Sequence, residues 1–199
     1  MPYPPEHKEQ TRQRIVKSAA RLFNRKGFVD VTIDEIMTEA GLTHGGFYRH
    51  FAGKDELYAE AVRQFLHQGL AEPWQLKQTR PCESGPAFAK FVVDAYLSRD
   101  HLQDIDGSCP LIGVSSDVAR SGQIVKAAYR EVAESMIHVF QANVDGAEAR
   151  EQALVLLALC VGGMVLARAV DDDGLADELR HAAHTHAFTT TGWGNERRD

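Results

Sequence analysis

The chain of 199 residues has only three cysteines, Cys82, Cys109 and Cys160. Their odd number and wide spacing give neither a disulfide framework nor a zinc pattern, and fit a reducing cytoplasm. The longest uncharged apolar run, Ala153–Ala167, falls short of the ~18 residues a membrane span needs. It reads as a buried helix. The opening MPYPPEHKEQ has no apolar stretch of the kind a secretory signal carries, so a cytoplasmic protein is expected. No stretch alternates apolar and polar residues, so no sheet is expected. Internal repeats, a G-x-S-x-G elbow and a phosphate loop are all missing. Excess positive charge is missing too. The net charge is -6, which argues against a protein that coats nucleic acid without specificity.

The charge is unevenly spread. Up to Lys54 there are nine basic and six acidic residues, a local excess of +3 that leaves -9 for the rest. A mildly basic head sits on an acidic body.

What is present is helix punctuated by glycine. Ile15, Ala19, Leu22 and Phe23 share one face of a first helix, roughly Lys8–Lys26. Gly27 ends it where a left-handed residue is needed. Thr32-Ile33-Asp34-Glu35 forms a capping box. It opens a short helix carrying Ile33, Ile36, Met37 and Ala40, which Gly41 stops. Thr43 caps a third short helix in which Phe47 and Phe51 point inward. Gly53 breaks that helix, and Lys54 opens a fourth, running to about Ala71. Farther on, Phe88, Phe91, Val92 and Ala95 mark a fifth helix. Leu102–Pro110 reads as loop, with Pro110 opening a sixth helix at its first position. Gly122 separates that from a seventh, through Val132, Met136, Val139 and Phe140. Asp145-Gly146 is a turn, and two more helices cover about Ala147–Val170 and Leu175–Thr189. The predicted fold is all-α with about nine helices. Residues 8–54 are expected to form a first domain of three helices, 55–190 a second helical domain, and 191–199 a frayed tail.

Two short helices joined by a tight glycine turn are a helix-turn-helix, whose second helix faces base edges. The segment GLTHGGFYRHF, Gly41–Phe51, then makes physical sense. Phe47 and Phe51 hold the helix to a small core. Thr43, His44 and Gly45 stand at its start, Tyr48 one turn on, and His50 near its end. Each glycine costs about 1 kcal/mol of helix stability relative to alanine. A missing side chain there lets backbone approach DNA. Thr32 and Lys54 stand at helix N-termini, where N–H groups favour phosphate.

The run Ile15–Leu57 also carries a resemblance. LF-x3-GF after the first helix, TI-x2-I, AGLT, FY-x-HF and K-x-E-L are similar to the DNA-binding domain of the TetR family of transcriptional regulators. The resemblance implies a homodimeric regulator, usually a repressor, released from operator DNA by a small molecule. It places Thr32, Thr43, His44, Gly45, Tyr48, His50 and Lys54 at or near double-stranded DNA. Asp30-Val31 stands where many members carry a threonine-rich pair. For the rest of the chain it implies a variable helical ligand-binding and dimerisation domain.

Within that second domain, the helix around Ala153–Ala167 is apolar around much of its circumference. Leu154, Leu157, Val161, Gly162 and Val165 are the candidate dimer face. Phe88, Phe91, Tyr96, Cys109, Tyr129, Met136, Phe140 and Met164 are candidates for an effector pocket. The acidic body and aromatic core point to a largely apolar or cationic effector. Cys109, just before Pro110, has two open readings. It is a thiolate at a helix N-terminus that senses electrophiles, or a small residue closing a turn. His181, His184 and His186 supply no third metal ligand, so no metal or other cofactor is expected. A thiol hydrolase built on Cys109, or a helical interaction module that binds no DNA, are the competing functional classes. The first has no oxyanion hole or elbow in the sequence to support it, and no enzyme is expected.

Overall fold

The computed structural model describes residues 5–67, 84–144 and 146–193, and all secondary structure among them is helical. Ten α-helices and one 3₁₀ helix follow in order. They are α1 (Pro5–Asp30), α2 (Ile33–Glu39), the 3₁₀ helix His44–Arg49, α3 (Lys54–His67), α4 (Pro86–Tyr96), α5 (Arg99–Gln103), α6 (Pro110–Gly113), α7 (Ser115–Arg120), α8 (Gln123–Gln141), α9 (Ala149–Ala169) and α10 (Asp173–Thr190). Cys82, the predicted end of the fourth helix near Ala71, Asp145 and the tail beyond Trp193 lie outside the described residues.

By packing, the chain forms two units. The first is Met1–Gln68 with Ile105–Val132, and the second is Gly69–Asp104 with Ala133–Asp199. The helix-turn-helix thus shares its unit with α3, α6, α7 and the start of α8.

In the first unit, α1 packs on α2, α3, α6 and α7. Ile15, Ala19, Leu22 and Phe23 are buried, as the 3–4 spacing requires. Gly27 does adopt a positive φ of 77°, but with ψ 173°. That is an extended backbone region open to glycine alone, not the left-handed helical one. It kinks α1 and sends Phe28 back onto Tyr58 of α3, ring centroids 4.5 Å apart. Two breaks differ from expectation. The third helix of the reading domain is a 3₁₀ turn, and the single helix expected after Pro110 is split into α6 and α7 at Val114.

In the second unit, α9 and α10 form an antiparallel pair joined by three residues, with α4 and α5 packed against them. α9 buries one face only, through Ala153, Leu156, Cys160, Gly163, Met164 and Ala167. It is long and apolar enough to cross a bilayer by composition, but that buried face is spaced for packing on a helical neighbour. A Cβ at Gly163 would stand 2.7 Å from the Ala183 Cβ of α10, so this glycine sets the close approach of the pair. Leu154, Val165 and Leu166 face outward. The expectation of burial on several sides is met on one side within the single chain.

Candidate nucleic-acid interface

Thr32 takes an extended conformation and its hydroxyl accepts the Glu35 N–H at 3.2 Å. The Glu35 carboxylate bonds Lys26, which with the Thr32 backbone holds it below the usual carboxylate range. At the other end of α2, Gly41 has φ 66°, and the Leu42 N–H donates to the Met37 carbonyl at 2.8 Å. That left-handed turn aims the chain into the 3₁₀ helix. Arg14 fixes the same turn from α1, donating Nη2 to the Ala40 carbonyl at 2.7 Å.

Within the 3₁₀ helix, Phe47 is fully buried and stacks on Phe51 with centroids 5.6 Å apart. Tyr48 meets the Phe47 ring edge-on and is 63% exposed. Thr43, His44 and Gly45 are exposed beside it. The imidazole of His44 bonds Asp34 at 2.5 Å through Nδ1. Among the described residues, a Cβ at Gly45 would meet no atom within 4 Å, and one at Gly46 would only touch Met37 at 3.5 Å. Packing inside the chain therefore does not demand either glycine.

Lys54 is placed differently from what helix-terminus reasoning expects. Its ammonium turns inward, donates to the Phe28 carbonyl and lies 4.2 Å from the Phe28 ring centroid. Burial lowers its pKa. The start of α3 is occupied by Glu56, which accepts the Ala52 N–H at 2.6 Å.

Most of the basic head is likewise engaged within its own unit. Arg12 bonds Glu60 and the His50 carbonyl, Arg21 bonds Glu39, and Arg25 forks onto Asp106. Lys8 and Arg49 have no such ion pair among the described residues. They line a cleft of about 590 Å³ with His7, Thr43, Gly46 and His50. Burial, and then Lys8, Arg12 and Arg49, push the His50 imidazole below its usual pKa. The cleft runs along the recognition segment and is cationic on both walls. Sequence reasoning did not select Lys8 or Arg49 as contacts. Their signal is the absence of an acidic residue at helical spacing on the same face.

Residues 15–61 match the family profile described as bacterial regulatory proteins, tetR family. Over 165 residues the chain is 26% identical to the HTH-type transcriptional regulator LmrA of Bacillus subtilis, covering 78% of this chain and 85% of the relative. It is 40% identical to an uncharacterized B. subtilis HTH-type regulator, YerO, over 61 residues, but that match spans only 21% of YerO's length. A crystal structure of a TetR transcriptional regulator from Chloroflexus aurantiacus superposes with TM-score 0.70 at 22% identity, over 92% of this chain and 95% of that one. The DNA-binding domain, residues 15–61, is of the tetR family of bacterial regulatory proteins.

The profile match is confined to the helix-turn-helix region, whereas the weaker similarity to LmrA extends over most of the chain. The eight candidate pocket residues are divided between the two units. Cys109 and Tyr129 belong to the first unit; Phe88, Phe91, Tyr96, Met136, Phe140 and Met164 belong to the second. All but Tyr129 are buried. Tyr129 shares a hydrogen bond with the Ser115 hydroxyl at 2.8 Å and donates to the Leu111 carbonyl at 3.3 Å. Cys109 is the N-cap of α6 and is fully buried. Of the dimer candidates, Leu154 and Val165 are exposed, and Leu157, Val161 and Gly162 are half-buried. His184 bonds Asp94 at 2.6 Å and stacks on Phe188.

Proposed function

We propose that the protein is a homodimeric, cytoplasmic transcriptional repressor that reads operator DNA with its 3₁₀ helix and is released by a small molecule. The outer face of that helix carries the reading. Buried Phe47 fixes it from within, while Tyr48, Thr43, His44 and two glycines that packing does not require face out. Lys8 and Arg49, without acidic partners among the described residues, supply phosphate contacts along the adjacent cleft.

One such turn offers few base contacts, so a two-fold pair, about 34–36 Å apart on the duplex, supplies the rest. The exposed Leu154, Val165 and Leu166 on α9, with half-buried Val161 on the same helix, support a dimer face, because an exposed apolar patch of this kind marks an interface. Release follows from a population shift, in which effector binding favours an arrangement with the wrong half-site spacing. Burial of Cys109 weighs against the thiol as first point of attack and against a hydrolase built on it.

The test is titration of purified protein with the DNA flanking its own coding region, followed by selection from a random duplex library. A preferred two-fold symmetric sequence supports the reading. Absence of preference in both removes it and favours a helical interaction module.

A further inference from the structure

The first unit holds a cavity that the proposed DNA contacts do not use. It lies between α1, α3 and the segment Asp106–Pro110, with a volume of about 280 Å³. A cavity of about 150 Å³ is enough to hold benzene. Phe23, Tyr58, Ala61, Val62 and Phe65 form apolar walls. The entrance segment is pinned from α1, where the Asn24 amide donates to the carbonyls of Asp106 at 3.1 Å and Ser108 at 2.9 Å. The walls are therefore built by tertiary hydrogen bonds and are not a chance surface fold.

One polar side chain on the cavity wall is uncommitted. Gln64 of α3 lines it with only 9% of its surface exposed, and no described residue hydrogen-bonds its amide. The Tyr58 ring lines the cavity while its hydroxyl is buried behind the wall, with no hydrogen-bond partner among the described residues. Both residues face the space between α1 and α3. At the solvent side stand three charged groups. Arg21 is neutralised by Glu39 and Asp106 by Arg25, but Lys17 has no ion-pair partner among the described residues. The surplus charge at the opening is therefore that of one cation.

We infer that this cavity binds a small aromatic monocarboxylate, its ring between Phe23, Tyr58 and Phe65, its carboxylate paired with Lys17 and within reach of the Gln64 amide. The acidic body of the chain predicts an apolar or cationic effector. Here the local charge decides against the global one, because screened charges beyond about 10 Å act weakly. A ligand in this space touches α1 and α3 together and would fix their separation. Arg12 and Arg14 join α1 to the His50 and Ala40 carbonyls on either side of the 3₁₀ helix. That coupling makes the site suited to an effector, a role that rests on the repressor reading; the binding itself does not.

The test is calorimetric titration of the full chain, without DNA, using 1-naphthoate and its neutral amide, 1-naphthamide. The expected result is one naphthoate per chain with Kd at or below about 1 mM. Naphthamide and the variant Lys17→Gln should each weaken binding by about tenfold, the loss of one charge-assisted contact. Gln64→Leu should weaken it by a smaller factor and leave the Lys17→Gln effect in place. Lys17 is exposed, so its variant keeps the fold. No heat and no thermal stabilisation at millimolar naphthoate would overturn the assignment. So would equal binding by the two variants. Adding naphthoate to a DNA complex then separates the two claims. Binding with no release of DNA removes the effector role and leaves the site, whereas a protein that never binds DNA removes the repressor reading and leaves the site.

Discussion

The backbone N–H of Phe28 donates to Asp117 Oδ2 at 2.8 Å, joining the kinked end of α1 to α7. The same oxygen stands 2.8 Å from where a Cβ on Gly27 would lie. One carboxylate thus both satisfies the amide freed by the kink and closes the space beside the glycine. Asp117→Ala should destabilise the protein by about 2 kcal/mol, the worth of a hydrogen bond to a charged acceptor. Gly27→Ala should cost about 1–3 kcal/mol from its glycine-only backbone. In the double variant the clash with Asp117 is gone, so urea unfolding should show less than the sum of the two losses. Full additivity would mean the two residues act separately.

Tyr48 is a surface ring with its neighbours already satisfied. Tyr48→Ala should leave unfolding within about 0.5 kcal/mol of the parent and weaken operator binding by about 1–3 kcal/mol. A variant that binds DNA as the parent does would place the reading surface elsewhere.

The outward face of α9 predicts the assembly state. Leu154 is 46% and Leu166 54% exposed in the single chain, so glutamate is tolerated at either position by the monomer. In a dimer it would bury an unpaired carboxylate, which costs several kcal/mol. Leu154→Glu and Leu166→Glu should therefore give a monomer by light scattering at micromolar concentration with helical content unchanged. An unaltered dimer mass would exclude this face.

His101 sets a pH limit on stability. It is fully buried, its Nδ1–H donates to the Tyr96 carbonyl at 2.6 Å, and Arg168 donates to its own carbonyl. Burial first, and then the Arg168 charge, bring its pKa down to about 3. The unfolded chain takes up this proton near pH 6.5 and the folded one does not. The neutral ring's contribution is complete above pH 6.5 and is lost as pH falls from there toward 3, by up to about 1.4 kcal/mol per pH unit. Urea unfolding between pH 7.5 and 5 should show that loss. His101→Asn, which can still donate to Tyr96, should remove this part of the slope. An unchanged slope would assign it to other groups.

Local backbone rules made much of the fold legible in advance. Thr32, Gly27, Gly41 and Pro110 announce caps, kinks and turns through φ preferences and side-chain acceptors that act within four residues. Phe47 and Phe51 announce an inward face by spacing alone. What the sequence hid is pairing over long separations. Arg25 with Asp106, Arg12 with Glu60 and Lys54 with the Phe28 carbonyl consume cations that, counted along the chain, look available for phosphate. Only after those pairs are subtracted do Lys8, Lys17 and Arg49 stand out. The cavity beside Gln64 was hidden for the same reason, since α1, α3 and residues 106–110 meet only in the folded chain. The one-sided burial of α9 could not be read from an all-round apolar pattern, which fits a subunit core and a subunit interface equally.

The most direct measurement is fluorescence anisotropy with a duplex selected by the protein and a scrambled duplex of equal length, titrated over a range of salt. The account predicts that the selected duplex binds at least about 10³-fold more tightly, with log K falling linearly in log salt for both. Lys8→Gln and Arg49→Gln should flatten that slope, whereas Lys54→Gln should change it little. Equal binding to the two duplexes, or a slope unaffected by Lys8 and Arg49, would contradict the placement of DNA on the 3₁₀ helix and its cleft.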